Sequence, residues 1–174
     1  WYVKDREGFM AQLHKDLTRF QRYCAKRDLK PCVRLNGTSD IRWEIILING
    51  QSIFDQFPEI QFYDYSKIAN RKVDHIANYD LTFSYSEANP AYAKQVNIAL
   101  ERGLNIAVVF RDKDQIPKSF LGLPVVNGDK NDMRFQDPKQ SIVALYAKGK
   151  ARKDTSGFVI DGLALNASAN RLAA

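Results

Sequence analysis

The stretch Pro31-Cys32-Val33-Arg34-Leu35-Asn36-Gly37-Thr38-Ser39-Asp40-Ile41-Arg42-Trp43-Glu44 carries the reading on which the fold rests. Its first half alternates, Val33 and Leu35 against Cys32, Arg34 and Asn36, which is the period of a half-buried strand. Gly37 breaks the pattern. Beyond it stand two hydroxyls, a carboxylate, a guanidinium, an indole and a second carboxylate. So many polar and titratable groups are costly in a core and usual at the rim of an α/β sheet, where ligands sit.

The same order recurs downstream. Ile60-Gln61-Phe62-Tyr63 runs into Asp64-Tyr65-Ser66-Lys67, Tyr79-Asp80-Leu81-Thr82-Phe83 into Ser84-Tyr85-Ser86-Glu87, and Ile106-Ala107-Val108-Val109-Phe110 into Arg111-Asp112-Lys113. Strands of a parallel sheet point one way, so these tails are expected on one face. A plain solvated loop after each strand is the alternative; the repeated pairing of a serine with a charged residue favours a shared site.

Between the strands the chain reads as helices and turns. Phe9, Leu13, Leu17, Phe20 and Cys24 recur every three or four residues, which predicts an amphipathic helix over residues 5–28 with acids near its start and Lys26 and Arg27 near its end. Asn49-Gly50 predicts a turn. Ser52 caps a short helix that Pro58 stops, and a second short helix is expected over 68–76. Asn89 and Pro90 open a helix that Gly103 closes. Residues 117–124 read as a loop, 129–138 as a polar loop and 141–146 as a strand, and the chain is expected to fray from 163. About five strands alternating with helices predict an α/β fold, a mostly parallel sheet of βα units. The expected form is a partial, half TIM-like barrel or an open doubly wound sheet, in a single domain over 1–174.

The 174 residues suffice for one core, and 45% hydrophobic residues exclude a disordered chain. No apolar run has membrane-spanning length and no signal-peptide pattern occurs, so a soluble, cytoplasmic protein without a membrane partner is expected. The net charge of +6 leans toward a polyanionic partner. Cys24 and Cys32 are the only cysteines, so neither an iron–sulfur cluster nor a cysteine zinc site can be built from this chain alone, and the cofactor is left open. His14 and His75 read as surface histidines. The sequence opens at Trp1 on a helix that ordinarily follows a strand, which suggests a processed chain or a fragment.

Three groups carry candidate chemistry. Asp40 and Glu44 could serve as base and acid, with Arg34, Asn36 and Ser39 orienting a ligand; helix capping by Ser39 or Asp40 and core packing by Trp43 are the structural alternatives. Lys67, with Ser66, Ser84 and Glu87, could hold an anionic substrate or form a surface ion pair. Lys148, Lys150 and Arg152 follow a strand beside Gly149 and suit phosphate, although such a run is often only a solvated face. Triad-hydrolase, Walker and classical dinucleotide motifs are absent.

The runs Arg34-Leu35-Asn36-Gly37-Thr38-Ser39-Asp40 with Trp43-Glu44 and Phe62-Tyr63-Asp64-Tyr65-Ser66-Lys67 resemble an uncharacterised family of bacteriophage and prophage proteins. So do Leu81-Thr82-Phe83-Ser84, and Gly128-Asp129, Arg134-Phe135 and Asp137-Pro138 with Lys148-Gly149-Lys150-Ala151-Arg152. The likeness extends distantly to the phage proteins called gene product eighty-eight and to partial-barrel enzymes of the radical-SAM type. It implies a cysteine-bearing segment ahead of the first helix in longer members, and therefore a fragment or divergent member here. The combined expectation is a phage-derived partial barrel in the host cytoplasm. Its enzyme-like site would lie at the C-terminal strand ends and take a phosphorylated small molecule, a nucleotide or nucleic acid. A non-catalytic protein that binds nucleic acid or a host factor through a basic surface is the alternative.

Overall fold

The computed structural model describes residues 1–162; the expected frayed tail from 163 lies outside the described residues. Contacts separate them into two units: Trp1–Tyr63 with Lys72–Tyr79, and Asp64–Arg71 with the chain from Asp80 onward. The strands run β1 (Cys32–Val33), β2 (Gln61–Ser66), β3 (Tyr79–Ser84), β4 (Ile106–Phe110), β5 (Ser119–Phe120), β6 (Leu123–Asn127), β7 (Ile142–Tyr146) and β8 (Val159–Ile160). Within the first unit β1 pairs parallel with β2; within the second the order is β3-β4-β7-β6-β5, with β8 on β4, parallel except for the antiparallel β5–β6 pair. The mostly parallel α/β expectation is met, with more strands than the five read from the sequence.

In the first unit, helix α1 (Arg6–Ala25) begins where Asp5 accepts a hydrogen bond from the Gly8 amide at 2.9 Å. It ends early because Asp28 turns left-handed, with φ of 53°, and the Leu29 amide donates back to the Cys24 carbonyl at 3.0 Å. Helix α2 (Ile53–Gln56) carries a capping box between Ser52 and Asp55, as the sequence predicts in part. The Ser52 hydroxyl and amide hold the Asp55 carboxyl below the usual carboxylate range. The core stacks Phe54 on Tyr79 at 4.4 Å and sets it edge-on to Phe62 at 5.2 Å. Asn78 ties this core to the backbone: its Nδ2 donates to the carbonyls of Phe54, Phe57 and Ile60 at 3.0–3.2 Å.

The second unit is built around β4. Its residues are apolar throughout, as a strand covered on both faces requires. Val96 and Ala99 of helix α3 (Ala91–Glu101) belong to the same buried cluster as Phe83, Ile106, Val108, Phe110, Ile142, Ala144 and Ile160. Gly103 at φ of 66° closes the helix as read from the sequence, whereas the start is one residue later than expected: Pro90 is the N-cap, and Asn89 before it accepts the Ala91 amide at 2.9 Å. Directly before β4, Asn105 joins three strands. Its carbonyl accepts the Phe83 amide at 2.8 Å and its Oδ1 the Ser141 amide at 3.2 Å.

Two further expectations are corrected, and one expected loop holds a buried charge. Residues 68–76 form no helix, because tertiary partners take the groups a helix would use. The Ala69 amide donates to Gln95 Oε1 at 2.8 Å, and Arg102 Nη1 donates to the carbonyls of Ala69 and of Arg71, the latter at 2.6 Å. The loop expected over 117–124 is a hairpin, β5 to β6, turned at Leu121-Gly122 with φ of 52° and 77°. The polar loop over 129–138 hides Arg134, which is 1% exposed; its Nη2 donates to the carbonyls of Gly128, at 2.9 Å, and of Asn131, and its Nε lies 3.3 Å from Asp137.

Asn78→Ala removes a donor that serves three buried carbonyls. It is expected to lower stability by about 1–3 kcal/mol, read as a drop in urea midpoint with an unchanged m-value. An unchanged midpoint would show that water replaces the amide without loss.

Candidate functional site

In the first unit, the loop after β1 is organised by Asn36, which is 1% exposed. Its Oδ1 accepts from the Ser39 hydroxyl at 2.8 Å, the Ile41 amide at 3.0 Å and Trp43 Nε1 at 3.1 Å, while Nδ2 donates to the Ile41 carbonyl at 3.0 Å. Arg34 reinforces the bend through the Asn36 and Gly37 carbonyls at 3.1 and 3.4 Å. Trp43 is buried among rings, stacked 6.3 Å from Phe9, which is the core packing given above as its structural alternative. Asp40 lies half-buried on the shoulder of this loop. Glu44 is 3% exposed at its side chain and accepts from Arg42 Nε at 3.3 Å. Arg34, Asn36, Ser39, Asp40 and Glu44 are thus brought into one loop, where the amide of Asn36 serves the loop itself.

In the second unit, Lys67 and Glu87 follow the C-terminal ends of β2 and β3. Lys67 Nζ donates to the Ser84 carbonyl and hydroxyl at 3.1 and 3.2 Å and lies 3.5 Å from the Tyr85 carbonyl. The rings of Tyr92 and Phe158 flank the same nitrogen at 5.3 and 5.0 Å. Ser66 is buried, its hydroxyl accepting the Ile68 amide at 3.0 Å. Glu87 accepts from the Tyr85 hydroxyl at 2.7 Å, and burial together with this acceptor pushes the phenol well above its ordinary value.

An open cleft of about 580 Å³ lies beyond the ends of β4, β7 and β8. Arg111, directly after β4, donates to the carbonyls of Arg152 and Asp154 at 2.9 Å each and so hooks the segment after β7 onto the strand end. Arg152 reaches the Tyr146 hydroxyl with Nη2, and its guanidinium carbon sits 5.2 Å from the Tyr146 ring centre. Lys113, Asp112, Asp114 and Asp161 complete the walls. Asp112 caps the short turn after β4, accepting the Asp114 amide at 3.0 Å.

The basic run therefore divides. Arg152 lines the cleft, Lys148 is held at 2.6 Å by Asp129, which pushes its ammonium pKa up, and Lys150 is exposed on a 3-10 turn, Gly149–Lys153. Arg111, Lys113, Tyr146 and the three aspartates were not singled out from sequence, although Arg111-Asp112-Lys113 stood there as a polar tail. Asn127-Gly128 and Asp129 acquire a role as well: Asp129 Oδ2 accepts the Tyr146 amide at 2.9 Å.

An iron–sulfur cluster does not fit these residues. Cys24 is buried on α1, burial raises the Cys32 thiol, and no group of three His, Cys, Asp or Glu among the described residues is placed to hold a metal ion. His14 and His75 are both exposed. No helix among the described residues is long and apolar enough to cross a membrane.

Asn36→Ala is expected to lower stability by about 1–3 kcal/mol, since it leaves the buried Trp43 indole N–H without its acceptor. In a Trp1→Phe background the emission of Trp43 should shift to the red. A native spectrum and midpoint would sink the assignment of Asn36 as organiser of the loop.

No curated protein and no solved structure matches the chain. The family described as gene product 88 matches residues 1–162. The chain belongs to the gene product 88 family of phage proteins.

Proposed function

We propose that the second unit binds a phosphorylated ligand of nucleotide size in the cleft beyond β4, β7 and β8, as an enzyme-like site. The observation that supports this is the lining itself. Arg152 and Lys113 line the cleft together with Asp112, Asp114 and Asp161, and the Arg152 guanidinium lies over the Tyr146 ring. Cations take a phosphate, carboxylates accept from sugar hydroxyls, and the Tyr146–Arg152 pair offers a base a flat face. Asp112, Asp114 and Asp161 are also the groups there that could move a proton. A crevice at the carboxyl ends of parallel strands is where such ligands bind in α/β sheets. We read the open sheet as a sector of a TIM-like barrel with a distant radical-SAM kinship. In the same reading Lys67 is a charged anchor, Ser66, Ser84 and Glu87 position its surroundings, and Asp40 and Glu44 are proton-handling groups of the first unit.

Exposure of Lys150 and Lys153 outside the cleft supports the second reading, nucleic-acid binding by a basic surface in the host cytoplasm. The two readings separate by titration with a nucleoside 5′-monophosphate, the unphosphorylated nucleoside and single-stranded DNA. The cleft reading expects the monophosphate to raise Tm, by about 2.7 kcal/mol of stabilisation at a hundredfold excess over Kd, and the nucleoside to do so less. Arg152→Ala should weaken binding at least about tenfold, whereas Lys150→Ala should leave it unchanged. Nucleotide binding indifferent to Arg152→Ala would remove this site. DNA binding that weakens in Lys150→Ala, with a salt slope falling by about one, would establish the surface reading instead.

A further inference from the structure

We propose that the first unit docks an acidic amphipathic helix of a partner protein in the groove between α1 and the extended residues 46–48. The groove has a volume of about 650 Å³. Met10, Ala11 and His14 of α1 form one wall, and Ile46, Leu47 and Ile48 the other. Leu47 is 59% exposed and Ile45 61%, two large apolar side chains of one short segment facing water. A second hollow shares Arg6, Ile46 and Leu47 and continues to Tyr2, Ile41, Arg42 and Ile45, so apolar side chains extend past the groove beside a further cation. Such a continuous apolar face on a folded unit marks an interaction site.

Charge selects the occupant. Arg6 stands at one end of the α1 wall and Lys15 at the other, with Glu7 the single carboxylate of the lining. Nine residues along a helix span about 13.5 Å, the length over which a partner helix presents apolar residues at i, i+3, i+4 and i+7. A helix whose apolar stripe is flanked at both ends by Glu or Asp meets both cations. A second copy of α1 packed antiparallel would set Arg6 against Lys15 and repel. The inference is independent of the nucleotide reading, which concerns the other unit.

The test uses the full chain and two synthetic helical peptides of about 15 residues, each with a leucine stripe and a fluorescent label. One carries glutamates at both ends and the other lysines. Fluorescence anisotropy is expected to show the glutamate peptide binding at least about tenfold tighter than the lysine peptide, with affinity falling as salt rises. Leu47→Asp should abolish binding, and Arg6→Glu with Lys15→Glu should invert the preference. Far-UV circular dichroism checks that each variant folds; if Leu47→Asp does not, the charge reversal on exposed α1 positions decides alone. No binding, equal binding of the two peptides, or binding unmoved by these variants overturns the proposal. So does sedimentation showing a dimer that Leu47→Asp dissolves, or phosphatidylserine vesicles binding through Leu47 while neither peptide binds.

Discussion

The constraint on which the second unit depends is that β4 has too many neighbours to be exposed anywhere. Its five residues pair with β7 along their whole length, with β3 at the start and with β8 at the end. A strand flanked on both edges and covered on both faces can hold only apolar side chains, and Ile106-Ala107-Val108-Val109-Phe110 obeys. Polarity is therefore displaced past Phe110, and Arg111 begins the charged tail there. The cleft is the direct result: the core forces its charged residues to the carboxyl end of the strand.

The segments legible in the sequence were those whose signal is local. The period of α1, the Ser52 cap, the glycine that closes α3 and the run of β4 each declare themselves within a few residues. Residues 68–76 misled because their helical pattern competes with partners far along the chain, Gln95 and Arg102, which a local reading cannot see. The hairpin at Leu121-Gly122 was hidden by a leucine in a left-handed position, where asparagine or glycine is the usual sign. Strands of two residues, such as β5 and β8, carry no period at all.

The candidate site shows the same division. The polar tails behind the strands were visible: Lys67 directly follows β2, Glu87 comes after the end of β3, and Arg152 lies on the 3-10 turn that follows β7. What the sequence does not reveal is which polar groups are already occupied by the scaffold. Asn36 looks like a ligand contact in a string of polar residues, yet it joins four groups of its own loop. Arg134 looks like one more solvated charge in a polar loop, yet it is almost fully enclosed. Side-chain amides and guanidinium groups can satisfy several backbone atoms at once, and only the fold shows when they do.

The late position of β8 has a consequence for synthesis. β3 reaches only as far as Ala107 on β4, and the edge at Val109 and Phe110 is completed by Val159 and Ile160, fifty residues further on. While the chain emerges from the ribosome, that edge stays open until β8 follows, presenting unpaired amides and carbonyls beside a buried aromatic residue. Nascent chains stalled or truncated before β8 carry an unprotected strand edge, the feature that recruits chaperones or seeds aggregation. Val159 and Ile160 thus act as the signal that this edge of β4 is closed.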